Sequence, residues 1–493
     1  MPTPADVRLQ APAQRRGVVM GFLMLCMALA AIEGTIVATA MPSIVASVGG
    51  FEYYAWVFAA FLLAQATSTP LYGRLSDLRG RKPVLLVGIV VFMLGSVLCG
   101  FATTMPLLVA FRLLQGFGAG AIYPTVSTLV GDLYEVSERG RAQGYLSSVW
   151  GVSAVLGPLL GGALVERAHW AWVFWFNVPF GLAAIVGLWV FLHESVAHSD
   201  KRLDLVSAAQ MFVAIGAFML LLTQGPQWDW AVALTLAAVA VAVGVAFVRR
   251  QLASETPLLG IDLWRDKLIL LADVATFAGG MLMIGLITYS PTYVQGVMGY
   301  SPTIAGLALT AMSVGWTLAS MVAGRLIVPW GPSTVGRIGG AAAACGGFLY
   351  LLLTPGRGPW WVAFSSLTVG VGLGVIMTTM VVTIQSSVEW ARRGGATATN
   401  MLMRLLGNSL GAAVLGAVLN MALAGSAGEN GESVMSQVQA LLAPGGAPSG
   451  AQVTTGTLAL LATSLHAVYV GVFAIGLLTL LLTWLLPRGR QLA

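Results

Sequence analysis

Apolar runs of about twenty residues recur from one end of the chain to the other, parted by short polar segments. At about 1.5 Å of rise per residue, one such run crosses a hydrocarbon core about 30 Å thick as a helix. The pattern predicts fourteen spans, at about 17–41, 54–72, 83–103, 105–126, 143–165, 171–192, 205–223, 231–249, 268–290, 303–326, 336–354, 360–385, 397–422 and 460–486. A β-barrel would show alternating ten-residue segments instead. The expected class is an all-α membrane protein, and an even number of spans puts both termini on one side.

Basic residues choose that side. Alternate segments hold Arg8, Arg15, Arg16; Arg74, Arg79, Arg81, Lys82; Arg139, Arg141; Lys201, Arg202; Arg249, Arg250, Arg265, Lys267; Arg325, Arg337; Arg392, Arg393; Arg488 and Arg490, while the opposite segments hold only Arg167 and Arg357. A bias of 21 to 2 predicts cytoplasmic termini in a cell's inner, or plasma, membrane. The formal charge of +6 is then topological and faces anionic lipid, not nucleic acid. Only 9% of residues are charged, against roughly a quarter in soluble proteins. Cys26, Cys99 and Cys345 sit apart in apolar runs and read as small buried residues, not as a disulfide framework or metal cluster. The first run is long, has no obvious small-residue cleavage site and is followed by another span, so no cleavable signal peptide is expected.

An internal repeat is suggested by "GRLSDLRGRKP" from Gly73, after span two, and "GRLIVPWGPST" from Gly324, after span ten. With spans seven and eight set aside, each follows the second helix of a six-span set. The predicted organisation is an N-terminal six-helix bundle over 1–192, two inserted spans with linkers over 193–267, and a C-terminal six-helix bundle over 268–493 with an outer loop at 423–459, the substrate path running between the bundles. Within that loop "ESVMSQVQALLAP" reads either as a short surface helix or as an inert loop.

"GRLSDLRGRKP" resembles the loop between spans two and three of the major facilitator superfamily, matching at Gly73, Leu75, Asp77, Gly80, Arg81 and Lys82. "RLLQGFGAG" (112–120) is similar to that family's span-four motif, and "GVSAVLGPLLGG" (151–162) to the antiporter signature of span five. "EGTIVATAMP" (33–42) resembles span one of the fourteen-span drug/proton antiporters, with Glu33 where that branch has Asp and Ala38 where it has Asn. The resemblance implies two six-helix bundles plus two extra spans, and alternating access driven by protons.

Four ionisable side chains stand out inside spans: Glu33, Arg112, Asp273 and Arg404. A charge at the centre of a helix costs about 2.5–3.5 kcal/mol even on a lenient scale, so such residues need a cavity, a partner or a task. Glu33 lies roughly 24 Å from the cytoplasmic edge and Arg112 roughly 12 Å from the outer one, within reach of each other if spans one and four are neighbours. The family's fold makes them so. Glu33 with Arg112 reads as a proton site, as a fixed ion pair, or as a seat for a cationic substrate. Asp273, in the cytoplasmic third of span nine, is a rival proton site or a solvated carboxylate in the inner vestibule. Arg404 reads as packing and hydrogen bonding or as substrate contact.

In span five, Gly151, Gly157, Gly161 and Gly162 permit close helix approach and Pro158 permits a bend. They suit an outer gate, or equally tight static packing; the resemblance favours the gate. In the loop from Gly73 through Gly80 to Lys82, Asp77, Arg81 and Lys82 offer charges for an inner latch or serve orientation alone. A candidate path lining is Gln65, Gln115, Tyr123, Trp175, Asn177, Tyr289, Tyr293, Trp316, Gln385, Asn400, Arg404 and Asn408. Aromatic faces with few formal charges suit amphiphilic small molecules, and one carboxylate beside them would suit lipophilic cations. Many of these aromatics read equally as interfacial anchors.

No nucleotide-binding or nucleophile–base pattern occurs, and His169, His193, His198 and His466 lack ligand spacing. The expected partners are a small-molecule amphiphile, protons and the bilayer, with no cofactor, no metal, no nucleic acid and no enzyme chemistry, in a monomer. The function expected is proton-coupled export of amphiphilic or cationic drug-like compounds. An exporter of one endogenous metabolite, lipid or natural product fits the same residues, as does a membrane sensor or scaffold that moves nothing.

Overall fold

The computed structural model describes residues 13–134, 136–194, 204–224, 228–254, 261–388, 393–427 and 455–487. Among them lie α1 (Ala13–Val48), α2 (Tyr54–Arg79), α3 (Arg81–Gly100), α4 (Met105–Leu133), α5 (Val136–Arg167), α6 (Trp172–Trp175), α7 (Asn177–Phe191), α8 (Leu205–Gln224), α9 (Trp230–Ala253), α10 (Lys267–Thr292), α11 (Pro302–Trp330), α12 (Pro332–Leu351), α13 (Gly358–Ser387), α14 (Arg393–Ala427) and α15 (Thr455–Trp484), with no strand among the described residues. The segment proposed as a surface helix in the outer loop, and His198, lie outside the described residues.

Eleven of these stretches are long and apolar enough to cross a membrane, α6 and α7 counting as one. The sequence pattern predicts fourteen. α2, α5 and α12 have the length, 26, 32 and 20 residues, but are not among the eleven. Their composition explains it. α2 carries Tyr, Trp, Gln, Ser and Thr, the first half of α5 is rich in Ser, Arg and Glu, and α12 is rich in Gly. Each of the three packs on helices of the protein: α2 on α4 and α14, α5 on α1 and α11, α12 on α13 and α15. Several helices outrun the predicted spans, since helical hydrogen bonding does not stop where hydrocarbon does; α4 continues to Leu133 and α5 starts at Val136.

α1 packs on α4, α5 and α7, and α3 and α2 on α4. α10 packs on α14, α15 and α13, and α13 on α11 and α12. The two sets meet along three seams, α5 on α11, α2 on α14 and α1 on α10. α8 lies across the second seam, touching both α2 and α14, and α9 stacks behind it. Most of α9 is uncovered, with Trp230, Leu234, Val241 and Leu252 exposed as a lipid-facing helix requires. Cys26 and Cys99 are buried as expected, but Cys345 is exposed, because its position on α12 points away from the neighbouring helices.

Hydrogen bonds between the two sets gather at the end where α1 finishes and α2 begins. The Tyr54 hydroxyl lies 2.7 Å from the Thr288 carbonyl and 2.7 Å from the Thr292 hydroxyl. Gln295 Nε2 donates to the Thr39 carbonyl at 3.1 Å, and Asn420 Nδ2 to the Glu52 carbonyl at 3.0 Å. The Thr303 amide, in the first turn of α11, donates to Glu166 at the end of α5 at 3.0 Å.

Candidate functional site

Glu33, on α1, is wholly buried. One carboxylate oxygen takes the Arg112 guanidinium from α4 as an ion pair; the other accepts from Asn177 Nδ2 of α7 at 2.7 Å. The guanidinium is also held by Gln115 Oε1 at 2.7 Å and the Val57 carbonyl at 3.0 Å, and it lies 4.1 Å from the Phe61 ring centre. Ser96 closes the circuit. Its hydroxyl accepts from Gln115 Nε2 at 3.1 Å and from Asn177 Nδ2 at 3.0 Å, and donates to the Phe174 carbonyl at 2.8 Å. Both Glu33 oxygens and the Arg112 Nε and Nη1 therefore have a counter-charge or a dipole, as a polar network in low dielectric demands. Spans one and four do meet, so the depths read from the sequence put this pair correctly side by side.

Asp273, on α10, is buried, with 1% of its surface exposed, so it is not a solvated vestibule carboxylate. Helix depth places it near one end, but the short 3₁₀ helix before α10 folds back over it. Trp264 Nε1 in that helix donates to one oxygen at 2.8 Å, and Asn400 Nδ2 of α14 to the other at 2.8 Å. The same Asn400 nitrogen lies 2.9 Å from the Thr276 hydroxyl. Both donors are neutral, in contrast to the guanidinium on Glu33.

Between the two helix sets lies a cavity of about 190 Å³. Gln65, Trp316, Arg404 and Asn408 line it, among Ala30, Ala31, Gly34, Thr35 and Phe61 from one side and Met283, Ile287 and Ser313 from the other. Neither Glu33 nor Asp273 reaches it. Phe61 is the partition: it lines the cavity and stacks on the Arg112 guanidinium. Of the other candidate lining residues, Gln115 and Asn177 belong to the Glu33 network and Asn400 to Asp273. Tyr289 and Tyr293 are buried near the hydrogen-bonded end, Tyr289 stacked 5.8 Å from Tyr54 and Tyr293 5.7 Å from Tyr469. Trp175 donates from Nε1 to the Val97 carbonyl at 3.3 Å, Gln385 Nε2 donates to Thr397 at 3.1 Å, and Tyr123 is partly buried on α4.

The α5 glycines work in two directions. A Cβ on Gly157 or Gly161 would strike Thr35 or Thr39 of α1, and one on Gly162 would strike the backbone of Thr303. Gly306 of α11 in turn backs onto the Pro158 carbonyl, and Gly151 lies near Thr317. The α5–α11 seam therefore depends on missing side chains on both helices. In the short loop, Gly73 is unobstructed, and Gly80 has a positive φ of 96°, which lets α2 turn into α3. The Asp77 side chain lies outside the described residues. Arg81 pairs with Asp132 at the end of α4, while the Arg81 and Lys82 amides donate to the Glu194 carboxylate at 2.9 and 2.7 Å, an anion at a helix N-terminus. Glu194 follows span six directly, a position the sequence offers without showing that it folds back on α3. Phe61, Ser96, Trp264, Asp132 and Glu194 are the residues that sequence reading passed over.

Residues 23–412 match the Major Facilitator Superfamily. The chain is 32% identical to "Multidrug resistance protein 3" of Bacillus subtilis (strain 168), over 88% of this chain and 86% of that one. It is also 32% identical to "Multidrug transporter protein MdtP" of the same organism, over 82% and 76%. Among solved structures, a bacterial homologue of the human lysosomal transporter Spinster, in an inward-facing and unoccupied conformation, superposes with a TM-score of 0.70 at 16% identity, covering 96% of this chain and 97% of that one. Paired helix bundles, a cavity between them and a family match over most of the length agree: the chain belongs to the Major Facilitator Superfamily, a family of membrane transporters and not of enzymes.

Proposed function

We propose that the chain is a proton-coupled antiporter of the fourteen-span drug/proton branch, exporting amphiphilic compounds from the cytoplasm by alternating access. The carrying observation is the fully buried Glu33–Arg112 pair, one phenyl ring away from the cavity, on a helix whose other face lines that cavity. In this reading α2, α5 and α12 also cross the membrane, and the bundles of residues 1–192 and 268–493 rock about the cavity. Positive-inside orientation makes the hydrogen-bonded end the outer, closed one. The cavity is then loaded from the cytoplasm, as in the inward-facing Spinster homologue. Proton uptake by Glu33 would release Arg112, and the change is felt through Phe61 in the cavity wall. The names of the Bacillus relatives support drug-like cargo.

The test is reconstitution in proteoliposomes with a panel of lipophilic probes, cationic, neutral and anionic, with and without an imposed proton gradient. Gradient-dependent flux of any of them, and proton release when that probe binds purified protein, is the expected result. Flux indifferent to the gradient, or no flux of any probe, overturns the reading; the latter is what a scaffold would give.

A further inference from the structure

The cavity has one formally charged residue in its wall, and it is a cation. Arg404 comes from α14 and lines the cavity; the neutral Tyr123 phenol of α4 is its electrostatic neighbour, and no hydrogen bond or ion pair joins it to a described residue. The two intramembrane carboxylates cannot serve it. Glu33 is spent on Arg112 and Asn177, and Asp273 on Trp264 and Asn400; neither lines the cavity. One turn beyond Arg404, Asn408 lines the same cavity, and its Oδ1 is buried with no hydrogen-bond partner. Phe61 and Trp316 supply aromatic wall beside these two polar groups.

A guanidinium in a low-dielectric space without a counter-charge is unfavourable, and whatever neutralises it there binds strongly. A planar fork of N–H donors fits a carboxylate or sulfonate by two parallel hydrogen bonds. A lipophilic cation would meet the opposite: like charge, and no acceptor of formal negative charge.

We propose that this cavity selects amphiphiles carrying a single acidic group, with Arg404 taking the anion, Asn408 a neighbouring polar group, and Phe61 and Trp316 the aromatic body. The inference rests on the antiporter reading for its setting, and it replaces the expectation of cationic cargo with an anionic one. Exchange of an anion outward for a proton inward moves charge in one electrical sense, so an inside-negative potential would speed it.

The experiment compares 2-naphthoate, neutral 2-naphthamide and 2-naphthylmethylammonium, three ligands of one shape, by equilibrium dialysis against the purified full-length chain. Naphthoate should bind about tenfold or more tighter than the ammonium. Arg404→Gln should lose about that factor for naphthoate and keep the amide within about twofold. Arg404→Lys should recover part of the loss, since charge returns without the fork. An ammonium that binds as tightly as naphthoate overturns the proposal, as does a naphthoate affinity that Arg404→Gln leaves unchanged. Should the variants fail to fold, the ranking on the unaltered chain decides alone. Because dialysis needs no gradient, the two readings fail separately. The expected ranking without gradient-driven flux sinks antiport only, and proton-driven flux with the ranking reversed sinks the anion site only.

Discussion

Glu33→Gln separates coupling from stability. The substitution keeps the shape and one acceptor for Arg112, but removes the charge and puts an NH₂ group at the side chain's end. Arg112 retains Gln115 Oε1, the Val57 carbonyl and the Phe61 ring, so it is not stranded. The loss there is one charge-assisted hydrogen bond, about 1.5–3 kcal/mol. On the other side the new NH₂ faces Asn177 Nδ2, donor against donor. Turning the Asn177 amide round repairs that contact but breaks its bond to Ser96, whose own proton is committed to Phe174. One unsatisfied group costs about 1–3 kcal/mol, so the total is about 2.5–6 kcal/mol. That resembles the known cost of removing one partner from a buried pair. The apparent melting temperature in detergent should fall on the order of 5 °C, while the protein still elutes as one species. Substrate-induced proton release, read with a pH dye in weak buffer, should vanish. A Glu33→Gln protein that releases protons on substrate binding and exports against the gradient refutes the reasoning, whatever its stability.

Phe61→Leu should keep equilibrium binding within about tenfold while cutting proton release per bound ligand, since the aromatic face on Arg112 is lost; release in unchanged ratio would exclude Phe61 from the coupling. Gly306→Val should block the α5–α11 seam from closing, because its side chain would occupy the space of the Pro158 backbone; normal protection of a cysteine placed at Thr303 from a membrane-impermeant thiol reagent would contradict this. Asp273→Asn should leave the Glu33-dependent proton release intact but loosen the 3₁₀ helix, seen as a change in Trp264 fluorescence; equal loss of proton release in both variants would make Asp273 the proton site instead. Glu166 gives a pH dependence. Partial burial raises its pKa, but hydrogen bonds from the Thr303 amide, Thr303 and Ser301, with the Arg167 charge, outweigh that and hold it below its ordinary 4.5. A depressed pKa in the closed state favours closure above pH 4.5 and loses that contribution as pH falls through the lower, closed-state value. Outer-face thiol accessibility should therefore rise only in that acid range, and Glu166→Gln should be flat there.

Position along a helix was readable from the sequence; rotation about the helix axis was not. Counting residues placed Glu33 and Arg112 at depths within an arginine's reach of each other, and they pair. Counting also put Asp273 near one end, yet it says nothing of the Trp264 indole folded over it. Tyr289 and Asn408 stand on helices that both border the interface, but one faces the closed end and the other the cavity. In a soluble helix the polar face would reveal such rotation. In a membrane both lipid and neighbouring helices are apolar, so the contrast is erased and only small or polar residues carry a hint. The span count turns on composition instead: α2, α5 and α12 carry polar, charged or glycine residues that lower their hydropathy below that of the other eleven stretches. The α5 glycines were legible because close approach leaves a compositional mark. Cys345 and Ser96 were not, since a small residue in an apolar run looks alike on any face.

α8 rests on both bundles at once. Ser409 of α14 lies 3.2 Å from the Ala59 carbonyl of α2 and 3.5 Å from the Met219 sulfur of α8, and Met211 packs with Ala66 and Leu402 a little further along. Any rocking of one bundle against the other must slide beneath this helix. Unbranched thioethers re-pack at little cost, whereas β-branched side chains would grip one neighbour and release the other. Under the proposed rocking, α8 and α9 would act as a bearing, covering one flank of this seam while letting it turn.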